Sequence, residues 1–224
     1  MASVVEVWRY PVKSMAGERL DACAVAETGL EGDRRWAFID GAPNRAGKLF
    51  TIRQDRRLMT YRARLANGHV EVVTSEGEVR DLDGGMVSRL AADASRPLAL
   101  RELEGGNFDD SPVLLINLAS VAAFGAEARM HVDHRRFRAN LYVDGLAPQE
   151  EIAWLGRRVQ AGTAELEVVS RCERCVVITH DPDTTVTTPA LLRLLTDTQD
   201  TRMGVYCRVT RPGRVASGDT IHVV

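Results

Sequence analysis

Arg171-Cys172-Glu173-Arg174-Cys175 sets two thiols among guanidinium groups, and the chain then runs through Val176-Val177-Ile178-Thr179 to Asp181-Pro182-Asp183-Thr184. A thiolate is the nucleophilic and metal-binding form of cysteine, and adjacent positive charge favours it. Sulfur is a soft ligand, better matched to a soft or high-valent metal than to magnesium or calcium. The valine-rich run after Cys175 reads as a buried strand over 175–179 with a thiol at its mouth.

Three chemistries compete for this Cys-x-x-Cys. A structural zinc needs two further ligands at matching spacing; His180, Cys207, His131 and His134 are available, but there is no second paired motif. A thioredoxin-type redox pair sits at the start of a helix, whereas this one leads into a strand pattern. In an extended chain, residues three apart point to opposite faces, so the two thiols converge only across a turn, and no glycine or proline favours one there. Independent roles follow, with one thiol functional and the other packed as a small hydrophobe. Cys23 and Cys207 lie in apolar strand-like stretches and read as core.

Other segments carry groups suited to an anion. Tyr10-Pro11-Val12-Lys13-Ser14 ends the first strand and is expected to expose Lys13 and Ser14 on a loop, an ammonium and a hydroxyl suited to phosphate. In Gly32-Asp33-Arg34-Arg35-Trp36, strand alternation puts Arg34 and Trp36 on one side, with Arg34 either forked onto a phosphate or paired with Asp33. Asp109-Asp110-Ser111-Pro112 reads as a turn before a strand. In Phe137-Arg138-Ala139-Asn140, Arg138 and Asn140 share a face and can present a cation and an amide to one ligand. Asp181-Pro182-Asp183-Thr184 is a strong turn former on its own account.

The elements that must position these groups are mostly strands. Alternating apolar segments predict strands at 4–10, 21–27, 36–39, 49–52, 69–74, 98–103, 113–116, 140–143, 158–161, 165–170, 204–210 and 220–223, besides 175–179. Helices are few: 86–94, 118–124 closed by Gly125, and 189–196 with Thr188 as cap and Pro189 in the first turn. The fold class is therefore mainly β with a few helices (α+β). The stretch Leu103-Glu104-Gly105-Gly106-Asn107 is the best candidate boundary, dividing the chain into 1–104 and 105–224.

With 224 residues, 45% hydrophobic and 27% charged, the chain has ample material for a core and is not a disordered segment. A net charge of −2 gives no overall pull toward nucleic acid or membrane. Its basic residues are nonetheless bunched around Arg34, Arg53 to Arg64 and His134 to Arg138; half read as solvated faces and the remainder as an anion pocket. Four cysteines are too few for a disulfide scaffold, and the start lacks a basic leader with a long apolar run. No stretch approaches the roughly 20 apolar residues that span a bilayer. The expectation is a soluble cytoplasmic protein with free thiols.

Taken in order, Tyr-Pro-Val-Lys-Ser, Gly-Asp-Arg-x-Trp, Asp-Ser-Pro, Phe-Arg-x-Asn and Arg-Cys-x-Arg-Cys…Asp-Pro-Asp-Thr resemble the MOSC proteins, named for the C-terminal domain of molybdenum cofactor sulfurases. The likeness is to the group with a MOSC N-terminal β-barrel domain, which includes the mitochondrial amidoxime-reducing component and its bacterial relatives. It implies a MOSC-type β-barrel plus a smaller N-terminal β-rich domain, holding a molybdenum cofactor (molybdopterin). By position, Cys175 would ligate the metal. Lys13, Ser14 and Arg34 would contact the cofactor's phosphate and pterin. Arg138 and Asn140 would hold it from the other domain, with Ser111 and the Glu173-Arg174 backbone nearby.

The resemblance also implies an oxidoreductase that reduces N-hydroxylated or N-oxide compounds, taking electrons from a separate reductase; releasing water requires a proton donor, for which His180 and the Asp109-Asp110 pair are the candidates in this sequence. Two other readings stand beside it: a carrier of the cofactor or of sulfur on Cys175, and a small protein with a structural zinc. Two departures from the family pattern bear on the site. Thr185 stands where glycine often follows Asp-Pro-Asp/Glu-Thr, so a different bend is expected, and His180 stands where relatives carry an apolar residue. The chain ends four residues after Thr220, so no appended ferredoxin domain is expected.

Overall fold

A computed structural model describes residues 1–224. An eight-stranded sheet curls into a half-barrel in the order Ile221–Val223, Arg158–Ala161, Ala164–Glu173, Arg202–Arg211, Val113–Asn117, Leu141–Asp144, Ser3–Arg9 and Glu18–Leu20. Most neighbours are antiparallel; Val113–Asn117 and Leu141–Asp144 run parallel, which requires a crossover, and the helix Leu118–Ala128 supplies it. Ala22–Ala26 pairs with Gly213–Ala216 and Gly29–Leu30. Two smaller sheets complete the N-terminal half, one of Leu98–Glu102, Trp36–Asp40 and Leu49–Phe50, the other of Arg62–Ala66, His69–Val73 and Val79–Asp81. The molecule is thus a β-rich half-barrel with a smaller β-rich unit, and the first strands of the chain belong to the barrel sheet.

Side-chain period explains the central strand. Val113 and Leu115 pack into the barrel core with Val4, Val7, Val168 and Cys207, while Leu114 and Ile116 face an outer core of Phe124, Phe137, Cys172 and Leu191. A strand covered on both faces must be apolar throughout, and Val-Leu-Leu-Ile is. Each fully buried Leu or Val stabilises the fold by about 1.5–3 kcal/mol. The N-terminal unit has its own core around Val12, Met15, Phe38, Phe50 and Val72. Cys23 and Cys207 are buried core residues, as expected, and all four cysteines are free.

Four local expectations are corrected. Residues 175–179 do not form a strand. Val176–Thr179 is a single 3-10 turn, in which the Thr179 hydroxyl donates to the Val176 carbonyl at 2.7 Å and the buried Ile178 and Thr179 face inward. Gly125 does not end its helix: the helix continues to Ala128 and closes on Arg129 in left-handed geometry, φ 53°. A Cβ at Gly125 would meet the Met130 carbonyl at 3.0 Å, so the glycine serves the chain's return over the helix. Thr188 gives the helix Ala190–Gln199 no side-chain cap; only its carbonyl bonds the first turn. The strands Glu18–Leu20, Gly29–Leu30, Arg62–Ala66, Val79–Asp81 and Gly213–Ala216 were not anticipated, being short or rich in arginine and glycine.

The 181–187 loop keeps the geometry that glycine favours. Asp181 accepts from the Asp183 and Thr184 amides and the Thr184 hydroxyl, and Thr185 lies at φ 60°. A β-branched residue is strained there. Thr185→Gly should therefore stabilise the fold by about 0.5–1 kcal/mol, the relief of left-handed strain less the added chain entropy, read from the denaturant midpoint.

Glu151 is buried without a cation. Its carboxyl is held by Ser120 Oγ at 3.0 Å and Asn117 Nδ2 at 3.2 Å, and burial pushes its pKa up despite these bonds. A raised folded-state pKa contributes stability that is full below the unfolded value and lost as pH rises through the folded one. The contribution should be present at acid pH and absent at alkaline pH, and Glu151→Gln should remove that slope from a stability–pH profile.

Candidate functional site

Every residue expected to hold the cofactor or move its proton, except His180, lines one cavity of about 530 Å³ between the two halves. Lys13, Ser14 and Arg34 come from the N-terminal half. Asp110, Ser111, Arg138 and Asn140 come from segments flanking the central strands, and Glu173, Arg174 and Cys175 from the end of the long strand Ala164–Glu173. His180 lies outside it. Its Nδ1 pairs with the Thr187 hydroxyl at 3.2 Å, and burial, then Arg56 and Arg136, push its pKa down. A proton donor at the cavity is not to be found there, whereas Asp110 does line it, bonded by the Ser111 hydroxyl at 2.7 Å.

Three cavity residues sit in left-handed backbone: Ser14 at φ 77°, Arg34 at φ 50° and Arg138 at φ 54°. Such strain costs about 1–3 kcal/mol per residue and gathers where geometry serves a ligand. It also corrects the strand reading of Arg34 and Arg138, since both end turns and only Trp36 begins a strand. Lys13 and Ser14 are buried rather than exposed, at 6% and 5%. Lys13 Nζ donates to the Asn107 carbonyl at 2.7 Å and to Asp109 at 3.0 Å, and Ser14 Oγ accepts from the Ile52 amide. Burial pushes the Lys13 pKa down against the pull of Asp109.

Arg34 makes the second of its two expected contacts while still lining the cavity. It pairs with buried Asp33, which also accepts from the Tyr10 amide, and it donates to the Arg138 carbonyl at 2.9 Å and Asn140 Oδ1 at 3.3 Å. The Asn140 amide also ties the halves together, accepting from Leu114 N and donating to the Trp8 carbonyl. Arg138 stacks on Tyr10 at 4.5 Å and donates to the Met15 carbonyl at 2.8 Å. Burial lowers its pKa to about 10, so a charged Arg138 is poorly compensated within the chain. Buried Arg174 donates to the Met203 and Phe137 carbonyls. Gly204 makes room for it: a Cβ there would meet Ile116 Cγ1 at 2.6 Å and Arg174 Nη2 at 3.3 Å.

The two thiols part company. Both border the cavity, but Cys172 is 1% exposed and packs in the outer core, while Cys175 is half-buried, one residue before the 3-10 turn. Arg53 was hidden in the sequence among Arg56 and Arg57. It reaches Asp109 at 3.3 Å, and although burial lowers its pKa, Asp109 and the Cys175 sulfur hold it up. Only the tertiary fold separates it from its neighbours, since Arg56 turns to Thr187 and Arg57 to Asp55 and Asp93.

Eight cationic side chains and three carboxylates line the cavity, a surplus of five positive charges in a chain whose net charge is −2. Asp109 serves both Lys13 and Arg53; Arg34, Arg136 and Arg202 find carboxylates outside the lining. Arg138, Arg171 and Arg174 have carbonyl partners only. Ser170 Oγ and Arg136 Nε, on lining residues, are buried with no partner. No three His, Cys, Asp or Glu side chains converge to hold a metal ion, which removes the support for a structural zinc. One accessible sulfur among unmatched cations fits a metal complex that brings its own remaining ligands and an anionic tail, as molybdopterin does.

Removing Asp33 leaves Arg34 as an uncompensated buried charge. Asp33→Asn should cost about 3–5 kcal/mol by denaturant unfolding, and adding Arg34→Met should recover most of it.

Comparison with known proteins agrees with this architecture. Residues 1–96 match the MOSC N-terminal beta barrel domain and residues 101–222 the MOSC domain. A molybdenum cofactor sulfurase of Caenorhabditis elegans is 40% identical over 121 residues, covering 51% of this chain and 17% of that protein, so the chain spans only a small part of the sulfurase's length. Mitochondrial amidoxime reducing component 2 of Bos taurus is 27% identical over 236 residues, covering 83% of this chain and 68% of that protein. Component 1 of Mus musculus is 23% identical, covering 100% of this chain and 83% of that protein. The crystal structure of the YUAD protein from Bacillus subtilis shares the fold, with a TM-score of 0.55 and 15% identity over 100% of this chain and 96% of that one. The chain therefore belongs to the MOSC family, with a MOSC N-terminal β-barrel domain preceding its MOSC domain.

Proposed function

We propose that this chain is a molybdenum cofactor-dependent oxidoreductase that reduces N-hydroxylated or N-oxide compounds with electrons from a separate reductase. The observation that carries the reading is the half-buried Cys175 thiol in a cavity with a surplus of positive charge drawn from both halves. Relatives named for amidoxime reduction match along 83% and 100% of the chain, which supports a reductase over a shorter shared module. When bound, the cofactor supplies a two-electron redox centre for removing oxygen from nitrogen.

The chain's own residues hold and tune it. Cys175 offers the sulfur, and its place just ahead of the 3-10 turn fixes the direction of its Cβ. Lys13, Ser14 and Arg34 form the anion end of the cavity, where low local dielectric makes each charge count for more than in water. Arg138 and Arg174 provide buried positive charge that an anion would compensate, and Glu173 and Ser111 border the same space. Asp110, one of the lining carboxyls, would deliver the proton that water release requires. The cavity is open to a small-molecule substrate. No helix is long and apolar enough to cross a membrane.

A second reading, a carrier of cofactor or sulfur without turnover, draws on the 40% identity to a sulfurase over half the chain. Both readings require molybdenum on purified, cofactor-loaded protein; only the first requires amidoxime reduction with a chemical electron donor. Cys175→Ala should abolish bound molybdenum by metal analysis, while Cys172→Ala should retain it with a packing loss of about 1 kcal/mol. Equal loss in both variants would instead indicate a paired-thiol site. Unchanged cofactor content in Lys13→Gln/Arg34→Gln would remove the proposed anion end.

A further inference from the structure

A second cavity, of about 340 Å³, lies between the two halves, and the reading above makes no use of it. Trp8 and Tyr10 line it, stacked with ring centroids 6.2 Å apart and planes within 20°. Arg138 lines both cavities and lies over the Tyr10 ring. Arg62 is exposed in this lining and has neither a carboxylate nor a hydrogen-bond partner in the chain. Arg135 bridges Asp133 and Asp183, at 2.6 Å from each, and so offsets only part of the Asp183 charge that would repel an anion. The hydroxyl of Thr60 donates to the Arg57 carbonyl and keeps its lone pairs toward other partners.

We propose that this second cavity binds a small planar organic anion, an aromatic monocarboxylate, with Arg62 and Arg138 on the carboxylate and the ring against Trp8, while Tyr10 stays buried under the Arg34 and Arg138 guanidinium groups. The volume lies in the range of small-molecule sites, which are formed by apolar and aromatic walls with a few convergent polar groups. Guanidinium forks match carboxylate geometry, and a carboxylate supplies the negative partner that Arg62 lacks. The partly exposed indole of Trp8 favours a ring-bearing anion over bare phosphate, because stacking adds to the area removed from water.

Titration calorimetry of 2-naphthoate into the full chain tests this. Wild type should bind it, and the neutral 2-naphthamide and inorganic phosphate should bind far more weakly. Arg62 is exposed, so Arg62→Gln should fold normally and weaken naphthoate by about 5–10-fold, the loss of one charge-assisted contact. Lys13→Gln, which alters the first cavity alone, should leave naphthoate binding unchanged, so failure of the molybdenum reading and failure of this one are separable. Indifference to Arg62→Gln, loss in Lys13→Gln, equal binding of the amide or of phosphate, or no binding at millimolar naphthoate would each overturn the assignment.

Discussion

The guanidinium groups of Arg138, Arg171 and Arg174 face the first cavity with carbonyl oxygens as their only partners in the chain. A carbonyl offsets part of the cost of taking a cation out of water but leaves its charge unmatched. The carbonyls come from far along the chain: Met15 for Arg138, Gln199 for Arg171, Phe137 and Met203 for Arg174. Positioning these cations therefore also joins the N-terminal segment to the barrel. The cavity exists only once both halves are assembled, and its unmatched charge is the feature that a bound anion would relieve.

The same assembly separates the two thiols. Cys172 is carried inward by the alternation of the long strand Ala164–Glu173, beside Phe137 and Leu191 in the outer core. Strand pairing stops at Glu173, and the 3-10 turn that follows aims the chain differently, leaving Cys175 half-buried at the cavity. A continuous strand would have placed the two sulfurs on opposite faces, which was the reading from spacing. Instead both residues border the first cavity, and the break in the strand leaves Cys172 packed in the outer core and Cys175 the more exposed.

Much of the fold was legible because strand periodicity is local. Segments such as Val113–Asn117 and His69–Val73 announce themselves by β-branched content and length. Arg62–Ala66 does not, since its exposed Arg62 and Arg64 conceal a two-residue period with Ala63 buried between them. The residues of the first cavity were legible as short motifs of charge and hydroxyl. Arg53 was not, because its role depends on Asp109, more than fifty residues away.

Residue types by themselves determined a β-rich chain, two thiols set among cations, and cationic and hydroxyl groups in segments scattered from Lys13 to Cys175. These follow from side-chain chemistry and short-range period, which any stretch of sequence carries with it. Only the tertiary structure decided that Lys13 and Ser14 are buried, that His180 faces Thr187 and not the cavity, and that Arg138 stands between two cavities. Those outcomes depend on which distant carbonyls and carboxylates meet each charge, and that is settled by packing, where desolvation and long-range contacts outweigh local preference.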